Sequence, residues 1–276
     1  MRTGRENSHH WVRRYCQRRG CRRILSCRSI GNSGRHGEFL RSTRATACSG
    51  GFGKMAEKEG AVLDKGSRRS NEAMKEKVII ALDVSSREQA LALVKTLRNM
   101  TGMFKVGGQL FMAAGPAIVR EIVDLGAKVF LDLKFHDIPN TVKHAAVETA
   151  KLGASMMTIH ASGGRAMIET TIRELHDKFG ARRPAVVAVT VLTSLDTRAL
   201  FELGMEQPIE EHVQRLGLLT QDCGADGGVC SPREIQGLRK VVTPAFKIVT
   251  PGIRMPDQSL NDQQRIATPH EAVAAG

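Results

Sequence analysis

From residue 77 onward, short runs of consecutive apolar residues alternate with segments whose apolar residues recur every three or four positions. The first kind predicts strands at 78–83, 103–107, 128–134, 155–160, 185–191, 227–230 and 246–249. Between them, 87–100 places Ala90, Leu91, Leu93, Val94 and Leu97 on one helical face, and 141–152 does the same with Val142, Ala145, Ala146, Thr149 and Leu152. Ser85 and Ser86 are candidate N-caps for the first helix, and Gly126 and Gly153 stand where glycine ends helices. A β-α repeat of about 25 residues with strands apolar on both faces requires a parallel sheet covered by helices.

Seven strands are one fewer than a (β/α)8 TIM barrel contains, so the expected fold is such a barrel lacking its eighth strand. The final Ala272-Val273-Ala274-Ala275-Gly276 reads as the end of a seventh helix with its terminating glycine. A doubly wound open sheet is the alternative. It would carry a glycine-rich phosphate loop after the first strand, where this chain has Asp83-Val84-Ser85-Ser86.

Composition separates residues 1–73 from residues 74–276. The formal charge of +13 resides mainly in the first part, which holds 17 Lys and Arg against 6 Asp and Glu. That part also holds Trp11, Tyr15 and four of the six cysteines, shows no apolar period, and is expected to be disordered. An Arg-rich transit peptide, a nucleic-acid-binding arm and a zinc site are alternative readings of it. Cys16, Cys21 and Cys27 lack the usual zinc-ligand spacing. The favoured expectation is that 1–73 is not a functional part, with Met74 or Met55 as the true start. No stretch approaches the ~20 apolar residues of a membrane span. Cys223 and Cys230 lie in apolar surroundings without a disulfide pattern, which fits a reducing cytoplasm.

Candidate chemistry gathers at strand ends, where barrels place catalytic groups. Those ends carry Asp83, Lys105, Asp132 with Lys134, His160, Thr190 with Thr193, Ser231 and the loop from Thr250 to Arg254. A strand period of two sends Asp132 and Lys134 to one face. Ionised groups at the mouth of an apolar core are costly unless they neutralise one another, so Lys105, Asp132 and Lys134 are expected to meet there. His136 and His160 are read as structural, since neither has a second ligand at metal-binding spacing within its own element.

Four segments carry a resemblance: Ala81-Leu82-Asp83, Phe104-Lys105-Val106-Gly107, Asp132-Leu133-Lys134-Phe135-His136-Asp137-Ile138-Pro139-Asn140-Thr141 and Val249-Thr250-Pro251-Gly252-Ile253-Arg254. In the same order, and from about residue 75 onward, they resemble the orotidine 5′-phosphate decarboxylases of the bacterial type. The resemblance implies conversion of orotidine 5′-monophosphate to uridine 5′-monophosphate and CO2, with neither metal nor organic cofactor, by a cytoplasmic homodimer with shared active sites. It implies Lys134 as the proton donor, Asp132 beside the departing carboxylate, and Lys105 completing an alternating Lys-Asp-Lys-Asp array and touching the ribose. Asp137 and Thr141 would reach into the partner's site, Asp83 would contact the ribose, Thr193 would line the pyrimidine, and Arg254 and Gln263 would grip the phosphate. The family continues into an eighth strand whose Gly-Arg also holds phosphate, so this chain is expected to be poorly active as it stands.

Two rival functions remain open on the residues. A metal-dependent sugar-phosphate decarboxylase or aldolase of the same barrel group shares Asp-x-Lys-x-x-Asp, but it is expected to carry an acidic metal ligand where Lys105 stands. Nucleic-acid binding would work through the basic tail; the expectation is that neither nucleic acid nor membrane is a partner of the folded part.

Overall fold

The structure, a computed structural model, describes residues 75–253 together with 268, 271, 272 and 275. All of them fall in one compact unit, Val62–Gly276. Seven strands form one sheet: β1 (Ile79–Ala81), β2 (Met103–Gly107), β3 (Val129–Phe135), β4 (Met156–His160), β5 (Ala185–Val189), β6 (Gly227–Val229) and β7 (Lys247–Val249). Every pairing is parallel and the spatial order equals the chain order. An order that never reverses is that of a curling barrel sheet and not of a doubly wound one. The ends of all seven strands lie within two residues of their sequence-predicted positions.

The helices follow local signals. In α1 (Arg87–Leu97) the Ser86 hydroxyl accepts from Gln89 N at 3.2 Å, the N-cap expected from the serine pair. Helices α2 (Gly108–Ala114) and α3 (Ala117–Asp124) follow β2, and Gly126 leaves α3 at φ 77°. Helix α4 (Pro139–Lys151) starts two residues earlier than the apolar period suggested. Pro139 takes its first position, where a missing N–H costs nothing, and Gly153 beyond its end has φ 85°. The outer layer continues with α5 (Gly164–Phe179), α6 (Thr197–Glu202), α7 (Ile209–Asp222) and α8 (Ile235–Arg239).

Alternation along the strands divides the side chains between two environments. One set, including Phe104, Val106, Val129, Leu131, Met157, Ile159, Val186 and Ala188, is buried against the helices. The opposite set, Ile79, Met103, Phe130, Met156, Ala185, Val187, Val189, Val229 and Val249, packs together from all seven strands. These fill the interior of the curled sheet with an apolar plug. Continuing the inward parity toward the strand C-termini gives Asp83, Lys105, Asp132 and Lys134. The first three strands are therefore apolar where they meet the plug and ionic where they reach the mouth.

Candidate active site

Side chains from three strands meet above the plug. Lys105, in β2, places Nζ 3.3 Å from Asp83 Oδ1 and 3.7 Å from Asp132 Oδ2. Lys134 Nζ lies 2.9 Å from both Asp132 oxygens. The four groups thus form a chain of alternating sign, Asp83, Lys105, Asp132, Lys134, without net charge. Asp132 is its most enclosed member, with 11% of its side chain exposed against 39% for Lys134 and 68% for Asp83. Such enclosed ion pairs add little net stability, because desolvation cancels most of the attraction. Their presence above a well-packed apolar interior is explained by chemistry better than by folding energy.

Local backbone structure makes the meeting possible. Gly107 pairs in register with Asp132, and a Cβ on it would stand 3.2 Å from Lys105 Nζ, so the glycine leaves room for the ammonium. Lys134 has φ 51°, the one non-glycine residue with positive φ among those described. The β3–β4 register shifts between Leu131 and Phe135, around the same residue. Regular alternation was the expected reason for Asp132 and Lys134 sharing a face. The contact instead forms across a distorted strand, and its geometry is held by Thr158 of β4. The Thr158 hydroxyl donates to Asp132 Oδ1 at 3.0 Å and accepts from Lys134 N at 2.8 Å.

The remaining expected residues are distributed unevenly. Asp137 Oδ1 accepts from Ile138 N at 2.6 Å in its own exposed loop. Among the described residues, the ion-pair partner of Lys134 is Asp132. Thr141 is exposed in the first turn of α4, its N–H donating to Ile138 O at 3.0 Å, and Ile138 itself is 66% exposed. Thr193 is buried in the segment after β5. Arg254 and Gln263 lie outside the described residues.

His136 and His160 stack on one another with ring centroids 5.1 Å apart. Burial pushes His160 below the ordinary histidine range; His136 and Lys134 push the same way, against the opposing pull of Asp132. At neutral pH it is therefore an uncharged ring beside the array. Among the described residues, no three His, Cys, Asp or Glu side chains are grouped as metal ligands. The ammonium of Lys105 between two carboxylates would also repel a divalent cation. Thr158 was not singled out from sequence, although a lone hydroxyl on the inward parity of the apolar run Met156-Met157-Thr158-Ile159 was a usable signal.

A fixed ammonium with one face open to solvent, its carboxylate partner held by a second ammonium and a hydroxyl, can stabilise a developing anion and hand it a proton. The chain is similar to known proteins of one family. The sequence profile described as orotidine 5′-phosphate decarboxylase / HUMPS family matches residues 76–276. The chain is 51% identical over 203 residues to the orotidine 5′-phosphate decarboxylase of Geobacter sulfurreducens, covering 73% of this chain and 85% of that protein. It is 49% identical over 205 residues to that of Syntrophotalea carbinolica, covering 73% and 84%. The crystal structure of orotidine 5′-phosphate decarboxylase from Lactobacillus acidophilus superimposes with a TM-score of 0.64 at 38% identity, covering 72% of this chain and 86% of that one.

Proposed function

The chain belongs to the orotidine 5′-phosphate decarboxylase / HUMPS family, and we propose that its reaction, decarboxylation of orotidine 5′-monophosphate to uridine 5′-monophosphate in pyrimidine biosynthesis, runs on Lys134. The C6–carboxylate bond breaks and its electron pair stays on C6, in the ring plane, where the π system cannot take it. The Lys134 ammonium meets that charge and transfers a proton to C6, leaving a neutral amine that solvent reprotonates. The observation that carries this reading is the 2.9 Å contact of Lys134 Nζ with both oxygens of an enclosed Asp132. An ammonium so held is aimed, and needs no reorganisation as the charge develops.

Asp132 lies beside the leaving carboxylate, and Lys105 and Asp83, on the far side of the array, contact the ribose. Thr193 lines the pyrimidine; Arg254 and Gln263 grip the phosphate, whose remote binding energy orients the ring. Asp137 and Thr141 serve the active site of a second copy in a homodimer. Their exposure, the turn of Asp137 away from its own Lys134 and the 66% exposed Ile138 between them support that assignment. No organic cofactor or metal takes part, and the substrate is the nucleotide rather than a nucleic acid or a membrane. The enzyme works in the reducing cytoplasm, in keeping with the buried free thiol of Cys223. Residues 74–276 form the catalytic barrel and residues 1–73 stand outside it, supported by a family match that begins at residue 76. Among the described residues, no strand lies between β7 and β1.

The test is turnover of orotidine 5′-monophosphate by the wild-type chain and by Lys134→Ala, followed by ultraviolet absorbance. A fall in kcat of about 10³-fold or more is expected for a residue supplying both electrostatic stabilisation and a proton. Equal rates in two equally folded proteins would overturn the proposal.

A further inference from the structure

We propose that Thr158 is a positioning residue for this reaction, acting through its hydroxyl on the backbone of Lys134 and the carboxylate of Asp132 together. The inference rests on the reading of Lys134 as proton donor. Thr158 is 1% exposed, below the mouth of the sheet, so its effect on chemistry must pass through its neighbours. Those neighbours are Asp132 and Lys134, the last two members of the array. Its Oγ1 accepts from Lys134 N at 2.8 Å and donates its one hydrogen to Asp132 Oδ1 at 3.0 Å.

The backbone of Lys134 explains why a clamp is needed. A non-glycine residue at φ 51° carries a local cost of about 1 kcal/mol or more, and it persists only where the surroundings hold it. Lys134 sits where the β3–β4 ladder loses register, between Leu131 and Phe135, so the strand-to-strand bonds that fix an ordinary residue are interrupted there. The Thr158 hydroxyl substitutes for the missing ladder partner. By also binding Asp132 it sets the relative position of carboxylate and ammonium from the backbone upward. Without it the 134 N–H is left without that acceptor, Asp132 loses a donor, and the side chain of Lys134 gains freedom to swing.

Thr158→Val keeps the shape and removes the hydroxyl, while Thr158→Ser keeps the hydroxyl. In the full chain, the Val variant is expected to lose kcat by roughly 10- to 100-fold, the size of effect that follows a small misplacement of a reacting group. Its KM should stay within about threefold of wild type, because the residue does not touch substrate, and the Ser variant should retain most of kcat. Thr158→Ala is a second hydroxyl-free variant and should fall as far as Val, which separates the hydroxyl from bulk. Wild-type kcat in either hydroxyl-free variant, or a Ser variant as impaired as Val, would overturn the inference. Lys134→Ala in the same assay separates the two levels. Full activity there overturns the proton-donor reading, whereas its loss beside an unimpaired Thr158→Val leaves that reading standing and removes Thr158 alone.

Discussion

β3 and β5 lie in one sheet and contribute to one interior, but they are built differently. β5 is Ala-Val-Val-Ala-Val, and it pairs with β4 residue for residue from Ala185 to Val189 without a break. β3 begins the same way, with Val129, Phe130 and Leu131 buried, then carries Asp132 and Lys134, loses register with β4 and takes a positive φ. The regular strand maximises packing. The irregular one gives up ladder bonds to hold two opposite charges at 2.9 Å. Stability thus resides where the pattern is repetitive, and chemistry where one strand departs from it.

The sharpest way to break that contrast is to neutralise β3. Asp132→Asn leaves the Lys105 and Lys134 ammonium groups without their shared counter-ion. kcat is expected to fall by about 10³-fold, measured by steady-state assay on protein whose fold is checked by circular dichroism. Next comes the sharing of sites between copies. Lys134→Ala and Asp137→Ala should each be inactive, and mixing them should restore roughly a quarter of wild-type activity. Half the dimers formed are mixed and each then holds one intact site, as two-fold symmetry requires. No recovery after subunit exchange would place Asp137 outside the partner's site.

The mirror-image test falls on β5. Val187→Ala, in the apolar plug, should cost about 2 kcal/mol in denaturant unfolding and leave kcat within about twofold. A large loss of turnover there would erase the division of labour between the strands. The smallest effect concerns His160, whose folded pKa is depressed by burial. Below the ordinary histidine value of about 6.5 the unfolded chain binds a proton that the folded chain resists. Stability therefore falls as pH drops from that value through the depressed one. His160→Gln should flatten that part of a curve of melting temperature against pH, and an unchanged slope would assign the dependence elsewhere.

Much of this contrast was legible in the sequence. Apolar runs such as Val186-Val187-Ala188-Val189 located the strands, Ser86 and Gly153 bounded helices, and strand-end charges named Asp83, Lys105, Asp132 and Lys134. The distortion at Lys134 was not legible, because lysine carries no preference for positive φ and the cause lies in a hydroxyl 24 residues away. Nor could alternation reveal that Asp137 turns to its own loop, since that depends on a 2.6 Å backbone contact. Sequence periodicity reports burial, whereas these features are set by hydrogen bonds between elements.

The central claim is that Lys134 delivers the proton to C6. Microscopic reversibility makes the same group, as an amine, remove that proton from product. The most direct measurement is exchange of the C6 hydrogen of uridine 5′-monophosphate for deuterium in D2O, followed by proton NMR. Exchange is expected with the wild-type chain and should slow by about 10³-fold or more with Lys134→Ala, as decarboxylation does. Exchange at the same rate in both proteins would contradict it.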